Sequence, residues 1–282
     1  MALLCVVFAF VAPRPGAAAE GASWNNVSIK LKFVDPEART LQMQLFQEFG
    51  ILAINRSDEH SPDVLRNFLL LLRNAYSRKA IRSLRDVKYI YAFYSHDAHM
   101  DIAAYHPTEM AISIGGISSY PRHGSPVDGE AQIELLAALA HELGHAFLLE
   151  RISSKELALV SKTFGGWNFT HRRGPVENLF SKIFFSSHPL VRMKSSFGTH
   201  ERHTKWRKLN IVSDYALTNI HEWFADAFAA FSLDRLGQQG VIGKNWQRRL
   251  LIIPKNRRDY WANYNNLSSE FFLWIQRKLE IY

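Results

Sequence analysis

Polar and apolar residues alternate from Ser28 to Val34, where Ile29, Leu31 and Phe33 would share one side of an extended chain, and this period of two predicts a strand. From Pro36 the spacing changes. Leu41, Met43, Leu45, Phe46 and Phe49 predict a helix with proline in its first turn. Ser61-Pro62-Asp63 opens another, with Leu65, Phe68, Leu69, Leu72 and Ala75 on one face. Val87 to Tyr94 is rich in β-branched and aromatic residues and reads as a strand. Met110 to Ile114 reads as a second short strand, closed by Gly115-Gly116. Pro121, Gly124 and Pro126 mark Ser118 to Gly129 as a loop.

Glu130 to Arg151 carries the strongest helical pattern: Ile133, Leu136, Ala137, Ala140, Leu143, Gly144 and Phe147 recur at threes and fours. Ser153 to Asn210 reads as a long, less regular, aromatic and basic region. Ser213 or Thr218 then caps a second strong helix running to about Leu236, and Asp259 to Ile281 contains an aromatic-rich helix. Helices and a few strands, followed by helices, predict an α+β fold: a small mixed sheet packed on the 130–151 helix, with a mainly helical C-terminal half.

The chain has 282 residues, 47% of them hydrophobic and 21% charged, which suits one sizeable core. Its single cysteine, Cys5, lies in an apolar run, Leu3 to Val11, that precedes Ala17-Ala18-Ala19. The run is too short to span a membrane and reads as a signal peptide, although a positively charged start is missing. Residues 1–19 are therefore expected to be a signal peptide, 20–60 an N-terminal segment and 61–282 the main domain, with a basic insertion at about 164–210. A secreted or periplasmic protein is expected. Cleavage after Ala19 would remove the only cysteine, leaving no disulfide in an oxidising compartment.

His141-Glu142-Leu143-Gly144-His145 is an H-E-x-x-H motif within the strongest helix. Residues four apart share a helix face, so both imidazoles can reach one ion at about 2.0–2.1 Å. Glu142 is rotated about 100° from them and borders the ion without ligating it, in position to act as general base. A catalytic zinc needs a third protein ligand and an open position. Leu148 and Arg151 stand where a metzincin has glycine and histidine, which excludes that class. A downstream glutamate or one of His171, His188, His200 and His203 remains.

The segment His221-Glu222-Trp223-Phe224-Ala225-Asp226-Ala227-Phe228 favours the glutamate. Phe224, Ala227, Phe228 and Phe231 make a buried face, and Glu222 and Asp226 lie one turn apart beside it. Paired carboxylates repel unless a cation or a donor separates them. Zinc on Glu222 and a histidine N–H on Asp226 would do so, with Asp226 fixing the ring's orientation. The plainer reading is two surface acids on an amphipathic helix.

Together, His141–His145 and the segment Tyr215 to Phe228 resemble the gluzincins, and more narrowly the anthrax lethal factor-like peptidases, which include secreted Pro-Pro endopeptidases. The likeness covers two segments. It implies a zincin-like metallopeptidase domain, one Zn2+ per chain and a protein or peptide substrate. It also implies that the phenol of Tyr215, seven residues before Glu222, donates to the oxyanion of the tetrahedral intermediate. In such peptidases an edge strand ahead of the active helix holds the substrate extended, a part that Met110 to Ile114 could take as readily as a purely structural one. The interval from His145 to Glu222 is longer than the family pattern.

The net charge is +8. Arg192 to Lys208 concentrates positive charge and is either a surface for an anionic partner or a solvated lid. His200 and His203 are a weak candidate for a second metal site. His96, His99 and His106 with Asp97 and Asp101 read as a polar inter-strand loop. No phosphate-binding loop or serine nucleophile elbow is present, and neither a nucleic-acid partner nor a transmembrane span is expected. A monomer is expected. The rival to a peptidase is a non-catalytic, metal-stabilised module that grips an anionic surface through 192–208; a toxin or effector would share the peptidase chemistry. Four Asn-x-Ser/Thr sites, at Asn26, Asn55, Asn168 and Asn266, bear on glycosylation only in a eukaryotic secretory route.

Overall fold

The computed structural model describes residues 23–54, 62–84, 87–92, 103–114, 129–167, 199–243 and 264–280. The segment 1–19 expected to be a signal peptide, most of the expected 118–129 loop and most of the expected basic insertion lie outside them.

The strand expected over Ser28 to Val34 is not formed. A 3-10 turn, Ile29–Leu31, occupies this region, and another, Trp24–Asn26, precedes it. The alternation fails because only Phe33 is buried, while Ile29 and Val34 stand in solvent. The Leu31 carbonyl also has a side-chain partner: buried Gln42 donates to it (2.7 Å) and to the Ala53 carbonyl (2.5 Å).

Helix α1, Pro36–Phe49, begins where Asp35 accepts from the Ala38 amide (2.7 Å) and ends at Gly50, whose φ of 74° favours a residue without a Cβ. Strand β1 follows at Leu52–Ile54, then helices α2 (Pro62–Ala75) and α3 (Arg78–Arg82). Arg78 and Arg82 donate to the Gln47 and Glu48 carbonyls, placing two cations at the negative end of α1. Strands β2 (Tyr89–Ala92), β3 (Ala103–His106) and β4 (Ala111–Ile114) complete a four-stranded sheet ordered β1-β2-β4-β3. β1, β2 and β4 are parallel, and β3 runs antiparallel to β4 with Tyr105 opposite Ile112. The 20–60 segment thus contributes a strand to the common sheet.

This topology corrects two expectations. β4 has β2 on one side and β3 on the other, so it offers no open edge; among the described residues the free edge nearest the next helix belongs to β3. His106 is on β3, not in a loop, and its Nε2 meets Ser113 Oγ at 2.8 Å.

Helix α4 spans Gly129–Arg151 and packs on β3 and β4. Beyond it, the region expected to be irregular contains α5 (Ser154–Gly165) and α6 (Thr199–Lys208). Ser153 caps α5 by accepting from the Glu156 amide, and Gly166 ends it at φ 63°. On α6, Trp206 is buried, while Lys205, Arg207 and Lys208 face solvent. Helix α7, Ile220–Gln238, is buried on nearly every side and crosses α4 at the molecule's centre. Helix α8, Ser269–Glu280, covers its far side, with Trp223 and Phe271 rings stacked 5.0 Å apart. The result is a mixed α+β fold, mostly helical. No helix among the described residues is long and apolar enough to cross a membrane. Asn266 is buried and donates to the Ile211 carbonyl (2.8 Å), which shuts this acceptor site to a glycan.

Gly144 sits where α4 meets α7. A Cβ there would lie 3.0 Å from both the Ala225 Cα and the Phe228 Cβ. Gly144→Ala is expected to lower unfolding stability by about 1–3 kcal/mol, as overpacking does, read from the midpoint of denaturant unfolding.

Candidate metal centre

His141 and His145 project from one face of α4 toward the start of α7. The entry to α7 is fixed by Asn219, whose side-chain oxygen accepts from the His221 and Glu222 amides at 2.8 and 3.0 Å. Asn219 is therefore the cap of this helix, in place of the expected Ser213 or Thr218. It anchors the first turn, which carries Glu222.

Glu222 Oε2 lies 2.9 Å from His141 Nε2 and 3.2 Å from His145 Nε2. The two Nε2 atoms are 3.1 Å apart. Donor atoms about 2.0–2.1 Å from a tetrahedral ion stand roughly 3.3–3.4 Å from one another. The observed triangle is close to that size, and the three residues could hold a metal ion. Side-chain exposures of 13%, 16% and 16% for His141, Glu222 and His145 leave the cluster open to solvent on one side.

The protons make the same demand. Asp226 Oδ1 lies 2.7 Å from His141 Nδ1, and a carboxylate only accepts, so Nδ1 carries hydrogen. In the neutral ring Nε2 is then a lone pair, and it faces the Glu222 carboxylate. That contact is repulsive unless a cation, proton or metal, lies between them. Burial pushes the His141 pKa down, yet hydrogen bonds to Asp226 and Glu222 outweigh it and hold the pKa well above the usual histidine value. For Glu222, burial acts upward, and the bonds to His141 and His145 overcome it, keeping the carboxyl well below the usual range.

Glu142 is buried beside the triangle. Burial raises its pKa, with Glu222 adding to the rise, while both imidazoles and the Tyr105 backbone N–H of β3 oppose it. Asp226 is shut in behind His141, and its second oxygen accepts from Ser213 Oγ. Tyr215 opens the 3-10 turn Tyr215–Leu217, partly exposed, with its ring centroid 5.8 Å from that of His141. Thus His141, Glu142, His145, Tyr215, Glu222 and Asp226 all meet at one place.

Of the other histidines, His221 adjoins this cluster without being one of the three candidate ligands. His171 and His188 are outside the described residues, as are His96, His99, Asp97 and Asp101, and the His200 and His203 side chains. His221, next to the glutamate, is buried; burial first and His145 second lower its pKa. Sequence reasoning missed Asn219 and the Tyr105 amide, and named Ser213 only as a cap of α7. Asn219 had a signal, a strong capping residue directly before the helix. The contact of Ser213 with Asp226 and the backbone amide of Tyr105 had none.

Compared with known protein families, curated proteins and solved structures, the chain matches none.

Because Asp226 holds the His141 ring by the nitrogen that faces away from Glu222 and His145, Asp226→Ala is expected to weaken divalent-metal affinity about 10- to 100-fold, measured by chelator competition.

Proposed function

We propose that this chain is a secreted zinc-dependent endopeptidase of gluzincin type, built on a zincin-like domain, that cleaves protein or peptide substrates. The reading rests on one observation: two imidazoles of α4 and a carboxylate of α7 converge within bonding distance of a common point, with a separate buried carboxylate beside them. Two nitrogens and one oxygen in this spacing suit zinc, which takes four ligands and in catalytic sites leaves one position for water or substrate.

Zinc held by His141, His145 and Glu222 would supply Lewis acidity toward water and a substrate carbonyl near neutral pH. The chain's own residues do the rest. Glu142 takes the proton from the attacking water and passes it to the departing amide nitrogen. Its burial serves this, since a raised pKa lets a carboxylate accept a proton and release it again. Tyr215 donates its phenolic hydrogen to the oxyanion, and a neutral donor aimed at developing charge is worth several kcal/mol. The outer edge of β3 takes an extended peptide by strand addition. The Tyr105 amide on that strand donates to Glu142, which ties the substrate-binding edge to the base.

Glu142→Gln is expected to retain one zinc per chain by elemental analysis and to lose cleavage of a peptide library. Tyr215→Phe should lower kcat about 100- to 1000-fold with KM little changed. Chelation should abolish cleavage and zinc restore it. A different outcome would favour the non-catalytic module: Glu142→Gln leaves biological activity intact, while charge reversal at Lys205, Arg207 and Lys208 removes it.

A further inference from the structure

Ser213 is wholly buried and lies six residues before Asn219, outside α7 and outside the metal triangle. Its hydroxyl makes two contacts with different parts of the site. It donates to Asp226 Oδ2, the carboxylate oxygen not used by His141. It also accepts from the Ala216 amide at 2.9 Å, within the turn that begins at Tyr215. A hydroxyl has one hydrogen and two lone pairs, so both contacts can hold at once.

The consequences follow atom by atom. With Oδ2 fixed by Ser213 and Oδ1 by His141 Nδ1, the Asp226 carboxylate has no freedom to rotate. The His141 ring is then held with Nε2 toward Glu222 and His145. On the other side, the same oxygen fixes the Ala216 amide, and so the neighbouring residue whose ring stands 5.8 Å from that of His141. We propose that Ser213 is a positioning residue that sets the metal-ligand orientation of His141 and the placement of the Tyr215 phenol together, through one oxygen atom. This inference rests on the peptidase reading and adds to it a residue that touches neither ion nor substrate.

Removing the hydroxyl releases Asp226 and leaves a buried amide unpaired. The test compares wild type with Ser213→Ala, Ser213→Thr, which keeps the hydroxyl, and Ser213→Cys, which keeps the size with a weak donor. Each protein is measured for zinc affinity by chelator competition, for the visible spectrum of the cobalt-substituted form at saturating metal, and for kcat and KM on one peptide. Ser213→Ala should lose at least about tenfold in zinc affinity, shift the cobalt spectrum, and lose kcat rather than KM even when saturated with metal. Ser213→Thr should recover all three. Should Ser213→Ala not fold, Ser213→Cys carries the same comparison.

Unchanged zinc affinity and cobalt spectrum in a folded Ala or Cys variant, with only thermal stability lowered, would overturn the proposal and leave the peptidase reading standing. A wild-type protein that neither binds zinc nor cleaves peptides would overturn both, and the wild-type measurement alone reads that outcome.

Discussion

The closeness of the α4–α7 crossing governs the polar centre. Gly144 lies between His141 and His145 on one helix, and Ala225 lies between Glu222 and Asp226 on the other. A Cβ on Gly144 would stand 3.0 Å from the Ala225 Cα, so the backbones meet with no side chain to separate them. Since the ligands sit within one turn of this contact, any widening of the crossing passes almost directly into the distance from imidazole to carboxylate. Small residues at a helix crossing are a general means of close approach; here they also set the geometry of a possible metal centre.

Such a centre is costly in an apolar surrounding. Buried charge is tolerated only when paired and hydrogen-bonded. Glu142, Asp226 and Glu222 bring three carboxyl groups to two imidazoles, an excess of acid that draws a cation to the group. The opposed shifts of His141, upward, and Glu222, downward, express this attraction with a proton as the cation. Behind these side chains neutral groups complete the hydrogen bonding: Ser213 donates to Asp226 and the Tyr105 amide to Glu142, while Asn219 accepts from the Glu222 amide. The site is therefore layered, with the three candidate ligands toward solvent and a hydrogen-bonded layer behind them.

How much of this could be read from the sequence depended on whether the signal was local. α1, α2 and α4 were legible because each carries a helical apolar period and two of them begin at proline. The His141 and His145 pair was legible because spacing along a helix is geometry. Glu222 and Asp226 required an electrostatic argument across 81 and 85 residues of separation from His141, and the structure brings both to it. The failures have the opposite character. Ile29 and Leu31 alternate as in a strand, but among the described residues no strand pairs with them, and the Gln42 side chain donates to the Leu31 carbonyl. α5 carried a capping signal in Ser153 and Glu156, hidden by the basic, aromatic residues that follow. The edge role of β3 was invisible because strand order is a property of the whole sheet, and Ala103–His106 has little pattern of its own.

Stability and site geometry have a common source in the aromatic packing around α7. The rings of Phe147 and Phe228 lie 5.3 Å apart, those of Trp223 and Phe271 5.0 Å, and those of Phe164 and Phe271 4.8 Å. Such pairs each add about 0.5–1.5 kcal/mol beyond the area they bury. They join α4 and α7, which carry His141, His145, Glu222 and Asp226, to α5 and α8. The backbone positions of His141, His145 and Glu222 are thus supported by an extensive apolar core. An ion bound here would stabilise the protein by mass action, and the packing would limit how far its ligands could move. The peptidase proposed above calls for such a centre, because its metal would have one position open and the protein, not a full set of ligands, would maintain the geometry.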